Sequence, residues 1–215
     1  MKNKKIAIIG CGNLGESVLN GLISNTDFTN SNITATRRNL QPIDHLKDTG
    51  IKLTSDNVKA IQESEIIILG LKPFNILPVL KELRSHINPD KHIVVSLATA
   101  VTIEDIQNTV EPGVSVFRAM PNTAADVGMS MTCICSNTDN EEKNLLIQQC
   151  FDSIGSTITI DENLMDSATV LGACGIAYVL RFMRAMTEGG VQIGFDAQTA
   201  CDIAKHTVKG AAELL

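Results

Sequence analysis

The apolar run Ile6-Ala7-Ile8-Ile9 leads directly into Gly10-Cys11-Gly12-Asn13-Leu14-Gly15, and a strand ending on a Gly-x-Gly-x-x-Gly turn leaves a chain few ways to fold. The first glycine permits a tight turn. The second lets backbone N–H groups approach a pyrophosphate with no Cβ in the way, and the third lets the next helix pack closely on its strand. The alternative, a glycine-rich hairpin, requires a second strand soon afterwards. Instead, residues 16–24 carry Val18, Leu19, Leu22 and Ile23 at helical spacing. The start of that helix supplies free N–H donors and the positive end of a dipole to anionic phosphates. The expectation is a dinucleotide site built on Ile9, Gly10, Cys11, Gly12, Asn13, Leu14 and Gly15.

The second strand candidate, residues 32–36, bears on which dinucleotide binds. Sites selective for NAD usually end this strand with Asp or Glu, which accepts hydrogen bonds from the ribose 2′-hydroxyl. Here the chain reads Thr36-Arg37-Arg38 and has no acid. Guanidinium groups suit a 2′-phosphate through their planar donor fork, so NADP(H) is favoured over NAD(H). The plainer reading is a solvated pair of surface arginines.

Apolar strands and helical stretches then alternate, with strands at 51–53, 66–69, 93–97 and 114–117 and helices near 40–48, 57–63, 75–85 and 102–109. This order means an α/β fold, a doubly wound, mostly parallel sheet covered by helices on both faces. Strands near 129–135 and 157–160, flanking a helix near 140–152, are expected to extend the same sheet. Ligands sit beyond the carboxyl ends of such strands. That edge collects Asn57, then Gly70-Leu71-Lys72-Pro73, then Ala98-Thr99-Ala100, then Arg118-Ala119-Met120-Pro121-Asn122-Thr123. By position alone, Lys72 and Asn122 also read as solvated loop residues.

Charge and cysteine usage narrow the partners. The net charge of −6, with no basic run interleaved with aromatics, argues against nucleic acid. The cysteines at 11, 133, 135, 150, 174 and 201 form no CxxC pair, so neither a metal site nor a disulfide framework is indicated and reduced cytoplasmic thiols are expected. The first residues run straight into a strand with no signal-type segment, so export is not expected. The longest uncharged run, 167–180, is too short to span a bilayer.

The character changes at Asp161, where Asp161 and Glu162 place acid at a helix start. Residues 168–180 carry no charge and are apolar nearly all round, and a soluble helix of that kind must be covered on every side. Few residues remain to cover it, so a second copy of the chain is expected to do so, giving a homodimer or higher oligomer. Gly189-Gly190 is expected to break or kink this helix, Gly194 to end it and Asp196 to cap the next. That last helix is still running at Leu215, as though cut within an element. The domains are therefore read as 1–160 for the cofactor and 161–215 for helical association and substrate.

Taken together these stations resemble pyrroline-5-carboxylate reductase. The matching pieces are residues 9–14, Leu71-Lys72-Pro73, residues 95–98 with 101–103, Arg118 to Thr123, and Gly175-Ile176-Ala177-Tyr178, of which Met120-Pro121-Asn122-Thr123 is the most specific. The resemblance implies a Rossmann domain followed by a helical dimerisation domain, and NAD(P)H-dependent reduction of a cyclic imine to proline, the last step of proline biosynthesis. It puts cofactor contacts on residues 9–14, Arg37, Asn57, Gly70 to Pro73, Leu97, Ala98 and Thr99. Asn122 falls near the nicotinamide as a positioning residue, and Asn122 and Thr123 at the substrate.

Three departures from the family pattern stand out. Ala124 replaces a Pro, and Gly172-Ala173-Cys174-Gly175-Ile176 replaces Ser-Gly-Ser-Gly-Pro. Ile176 restores a backbone N–H and is expected to relax a helix kink. The family's later Ser-Pro-Gly-Gly-Thr-Thr segment, which resembles an anion-binding nest, lies outside these residues, so the remainder of the substrate site is expected beyond Leu215.

A protonated cyclic imine needs no dedicated protein acid, which suits a chain with one tyrosine and four scattered histidines. A Tyr-x-x-x-Lys carbonyl reductase is disfavoured because Phe182 follows Tyr178 by four, and Tyr178 is expected to pack with its hydroxyl satisfied. A catalytic lysine on the long helix is also disfavoured, since none lies between Asp161 and Gly194. The alternatives are an NADP-dependent oxidoreductase acting on another imine or carbonyl, and a non-catalytic dinucleotide-binding dimer.

Overall fold

The computed structural model describes residues 3–215. Strands β1 (Ile6–Ile9), β2 (Ile33–Thr36), β3 (Lys52–Thr54), β4 (Ile66–Leu69), β5 (Ile93–Ser96), β6 (Ser115–Met120), β7 (Ser130–Ser136) and β8 (Gly155–Thr159) form a single sheet in the order β3-β2-β1-β4-β5-β6-β7-β8. Neighbours pair in parallel except β6 and β7, which are antiparallel. The extension beyond β6 therefore belongs to the same sheet. Strand ends differ by one to three residues from the sequence reading: β2 and β3 start one residue later, β5 stops at Ser96, β6 reaches Met120, β7 moves one residue on, and β8 runs from Gly155 to Thr159. Hydrogen-bond register sets those ends, and apolarity alone does not report it.

Every residue of β1, β4 and β5 is buried because both faces are covered. Alternate residues feed two cores. Ile6, Ile8, Ile66, Ile68 and Phe117 pack with Leu19 and Leu22 of α1 (Asn13–Ser24) and with Ile147 and Phe151. On the other face Ala7, Ile9, Ile67, Leu69, Val94 and Val116 meet Ala60 and Ile61 of α2 (Asn57–Gln62), Ile76 and Leu80 of α3 (Pro73–Leu83) and Ile106 of α4 (Ile103–Gln107). The helix carrying Ile147 and Phe151 is α5 (Glu141–Asp152). The helical stretch near 40–48 is the tighter 3₁₀ form, Gln41–Thr49, closed by Gly50 at φ +88°.

Capping divides these helices by role. Asp56 caps α2, Thr102 and Asp105 form a reciprocal capping box on α4, and Asn140 caps α5. The N-termini of α1 and α3 carry no side-chain cap, and both open at the carboxyl edge of the sheet.

Contacts divide the chain after Ala173. The segment from Glu162 stays with the sheet in this division. Met165, which opens α6 (Met165–Ala168), is fully buried in the second core, and Glu162 and Gly172 bond to Arg118 and Asn122. A π-helical turn, Thr169–Ala173, follows α6, and the next helix, Gly175–Gln192, runs through Ile176 without interruption.

The second unit, from Cys174, holds α7 (Gly175–Gln192) and α8 (Ala197–Glu213). Gly189-Gly190 does not break α7. A Cβ on Gly190 would stand 2.9 Å from Cβ of Ala200, so this glycine serves the close approach of α8. Gly194, at φ +113°, ends the turn after α7, and Asp196 Oδ1 accepts from Thr199 N at 3.0 Å to start α8. Tyr178, expected to pack at the helix interface, is 56% exposed in the single chain and its hydroxyl makes no hydrogen bond among the described residues. Val170, Leu171, Val179, Leu180 and Phe182 are exposed as well. The helical stretch Glu162–Gln192 is, by length and composition alone, long and apolar enough to cross a membrane, which corrects the length argument made from its uncharged run.

Candidate active site

The carboxyl ends of β1, β2, β4 and β5 converge on the Gly10–Gly15 turn. Gly10 has φ +84°, and a Cβ there would strike the Leu71 side chain. Gly15 and Gly70 each face Gly10 O, where a Cβ would stand at 3.1 and 2.8 Å. Gly12 differs, since a Cβ placed on it would meet nothing within 4 Å. The two outer glycines and Gly70 are therefore required by protein packing, and Gly12 borders open space at the uncapped start of α1. That is the position at which a bound pyrophosphate accepts the orphan N–H groups of a helix. Cys11 is buried, and burial, with Glu16 adding, pushes its thiol up to about 12, so it stays a neutral packing group.

A relay of hydrogen bonds joins three of the expected residues. Gly10 N donates to Thr36 Oγ1 at 3.2 Å, and Thr36 Oγ1 donates to Asn57 Oδ1 at 2.6 Å. Cys11 N also donates to Thr36 O at 2.7 Å. The ends of β1 and β2 and the start of α2 are thereby held in one frame, with the Asn57 amide nitrogen left over. Arg37 is half-buried and donates one N–H to Cys11 O at 3.0 Å, which orients the guanidinium and leaves its other donors without a partner among the described residues. Arg38 is exposed. Lys72 is the N-cap residue of α3 and exposed, and its ammonium group is unpaired among the described residues.

Leu97 N donates to Leu69 O at 3.1 Å, carrying the parallel ladder one residue past β5, while Ala98 is buried and Thr99 half-buried. Ala100 adopts φ +58°, the single non-glycine residue in left-handed backbone among those described. Asn122 is buried, and its side chain is committed: Oδ1 accepts from Ala124 N at 3.0 Å, and Nδ2 donates to Gly172 O at 3.3 Å. Asn122 N donates to Ser130 Oγ at 3.1 Å. Thr123 is exposed beside it. Among the described residues no group of three or more His, Cys, Asp or Glu side chains is arranged to hold a metal ion.

Two participants have a role in the structure that the sequence reading did not give them. Arg118, in the middle of β6, is 4% exposed and donates from Nη1 to Glu162 Oε1 at 2.9 Å, and the same oxygen accepts from Ile103 N at 2.7 Å. Glu162 thus serves the start of α4 and a buried arginine rather than its own helix. The available signal was a lone charge inside the otherwise apolar run of β6. Burial, with the Glu162 carboxylate adding, pushes the thiol of Cys135, paired with Arg118 across the sheet, up to about 11.

Residues 162–215 match the family described as pyrroline-5-carboxylate reductase dimerisation, and residues 5–100 match that described as NADP oxidoreductase coenzyme F420-dependent. Pyrroline-5-carboxylate reductase 2 of Dictyostelium discoideum is 39% identical, over 99% of this chain and 76% of its own length. The chain belongs to the pyrroline-5-carboxylate reductase family. Another member, from Methanosarcina acetivorans, is 33% identical over 100% of this chain and 80% of its own.

Among solved structures of the family, the Plasmodium falciparum enzyme with NADP bound superposes with a TM-score of 0.90 at 25% identity, covering 100% of this chain and 79% of that one. The Coxiella burnetii reductase gives 0.89 at 30% identity over 99% and 80%. The exposed apolar helices α7 and α8 lie within the dimerisation match, which accounts for their exposure in a single chain.

Proposed function

We propose that this chain reduces 1-pyrroline-5-carboxylate to L-proline with NADPH as hydride donor, the last step of proline biosynthesis. The observation that carries the reading is the uncapped N-terminus of α1 beside Gly12, in a chain that aligns with pyrroline-5-carboxylate reductases over nearly its whole length. When bound, the reduced nicotinamide supplies a hydride to the imine carbon. The ring nitrogen takes a proton, and the C=N bond becomes the C–N bond of proline. A protonated imine is already electrophilic, so the protein's contribution is orientation and exclusion of water.

In this reading, backbone N–H groups of residues 12–15 hold the pyrophosphate, Arg37 and Arg38 hold the 2′-phosphate and select NADPH over NADH, and Asn57 faces the adenosine ribose. Residues 70–73 and 97–99 line the rest of the cofactor. Asn122 sets the turn at the nicotinamide end, and Thr123 faces the small cyclic imine. Two copies associate through α7 and α8, whose exposed apolar residues support a dimer or larger oligomer. All six cysteines are free thiols, which supports a cytoplasmic setting.

The test is imine-dependent NADPH consumption by the purified chain with proline identified as product. NADPH binding without imine-dependent oxidation would refute the catalytic reading.

A further inference from the structure

The register of the sheet puts Ile9, Leu69, Ser96 and Arg118 in one row, the last row of the parallel strands. Arg118 therefore stands level with the edge on which the cofactor is read to lie. Its side chain projects to the face of Val116 and Met120 by strand alternation, into the core beneath α4. Among the described residues it is held there by a single partner, Glu162, while Nε and Nη2 are buried with no hydrogen-bond partner.

Such a guanidinium is a poor choice for stability. Apolar side chains of similar volume often replace a buried ion pair with no loss, and unpaired buried donors add cost. A second cost stands close by in sequence, the left-handed Ala100 in the segment between β5 and α4. Glu162 Oε1 ties these features together, because it accepts from both Arg118 and Ile103 N, the first residue of α4.

We infer that the buried Arg118–Glu162 pair is a positioning device for the nicotinamide end of the site, clamping the segment of residues 97–102 to the end of β6 and to the first turn of the helical segment that begins at Glu162. That segment runs on to the π-helical turn whose Gly172 carbonyl is held by Asn122, so sheet edge, cofactor loop and turn share one frame. Neither residue touches the reacting atoms; both act through the backbone they hold. The inference rests on the proposed reductase reading.

The test compares NADPH with adenosine 2′,5′-bisphosphate, a probe that fills the adenosine half of the site and stops short of residues 97–102. The Arg118→Met/Glu162→Met double variant removes both charges together, so it should melt near the wild-type temperature and bind the probe as wild type does. Its NADPH affinity should fall by about tenfold or more, and turnover by up to about a hundredfold, the scale expected of a misplaced reacting group. If the double variant does not fold, Glu162→Gln, which keeps an acceptor for Ile103 N and removes the charge that holds Arg118, should show a selective loss of the same kind and smaller size. Arg118→Lys should lie nearer wild type than Arg118→Met. Probe and NADPH affinities that stay unchanged, or fall by the same factor, would overturn the inference and leave the pair a structural one. The affinity ratio decides this even if wild-type protein reduces no pyrroline-5-carboxylate, an outcome that would remove only the functional reading.

Discussion

Gly12 is the residue at which folding and binding separate most cleanly. Because its missing Cβ borders open space, Gly12→Ala should leave the melting temperature almost unchanged and weaken NADPH by roughly tenfold or more, the loss of one charge-assisted contact or more. Gly10→Ala should behave differently, losing stability as well as binding, since it forces φ +84° on an alanine and drives a Cβ into Leu71. Calorimetric binding beside thermal denaturation of the two variants checks both, and an unbound but stable Gly10→Ala would contradict the packing argument. In the proposed reading Arg37 selects the cofactor. A charge-assisted contact to the 2′-phosphate is worth about 1.5–3 kcal/mol, so NADPH should bind ten- to a hundredfold more tightly than NADH in low salt, and Arg37→Asp should reverse that order. Equal dissociation constants for the two cofactors in the wild-type protein would count against the assignment. The Gly-x-Gly-x-x-Gly turn, Arg37 and the Asn122 motif were legible because each is a local pattern. The role of Glu162 was not, because its partners, Arg118 and Ile103, are distant in sequence.

Among the elements, α7 and α8 depend on Gly190. Gly190→Val should push Ala200 away and cost about 1–3 kcal/mol in unfolding free energy, as overpacking a close helix contact does. Gly189, whose Cβ would meet nothing within 4 Å, supplies the control: Gly189→Ala should be neutral or stabilising in urea denaturation, since it raises helix propensity without a clash. Sequence reading expected a helix break or kink at this pair, because glycine punctuates a helical pattern as readily as it permits a tight crossing. Which of the two applies depends on what packs alongside.

The whole molecule presents two measurable dependences. The apolar residues left exposed on α7 lead to association, so Val179→Asp should dissociate or precipitate the protein. A wild-type chain that remains a stable monomer at micromolar concentration in light scattering would contradict the assembly. The second dependence is on pH. His92 is buried with Nδ1 accepting from Asn88 N at 2.9 Å, and burial lowers its pKa from the ordinary 6.5. Below that value the unfolded chain takes up a proton that the folded chain resists, so the contribution of His92 is full above it and is lost as pH falls. The urea midpoint should therefore drop between about pH 7.5 and 5.5, with a shallower slope for His92→Asn, and the same slope in both proteins would exclude His92 as the cause.

The sequence alone determined the order of strands and helices, the nucleotide turn, the absence of an acid at the end of β2 and the family. All of these are written in short-range spacing, and backbone sterics and solvent exclusion act on neighbours in the chain. Only the tertiary structure decided which strand ends share a row, that β7 runs antiparallel beside β6, that Asn122 holds the Gly172 turn, and that Glu162 joins Arg118 to α4. Those facts depend on groups brought together across 44, 50 or 59 positions of sequence. Their cost or benefit is set by burial and by the partners found there, and no local window contains either.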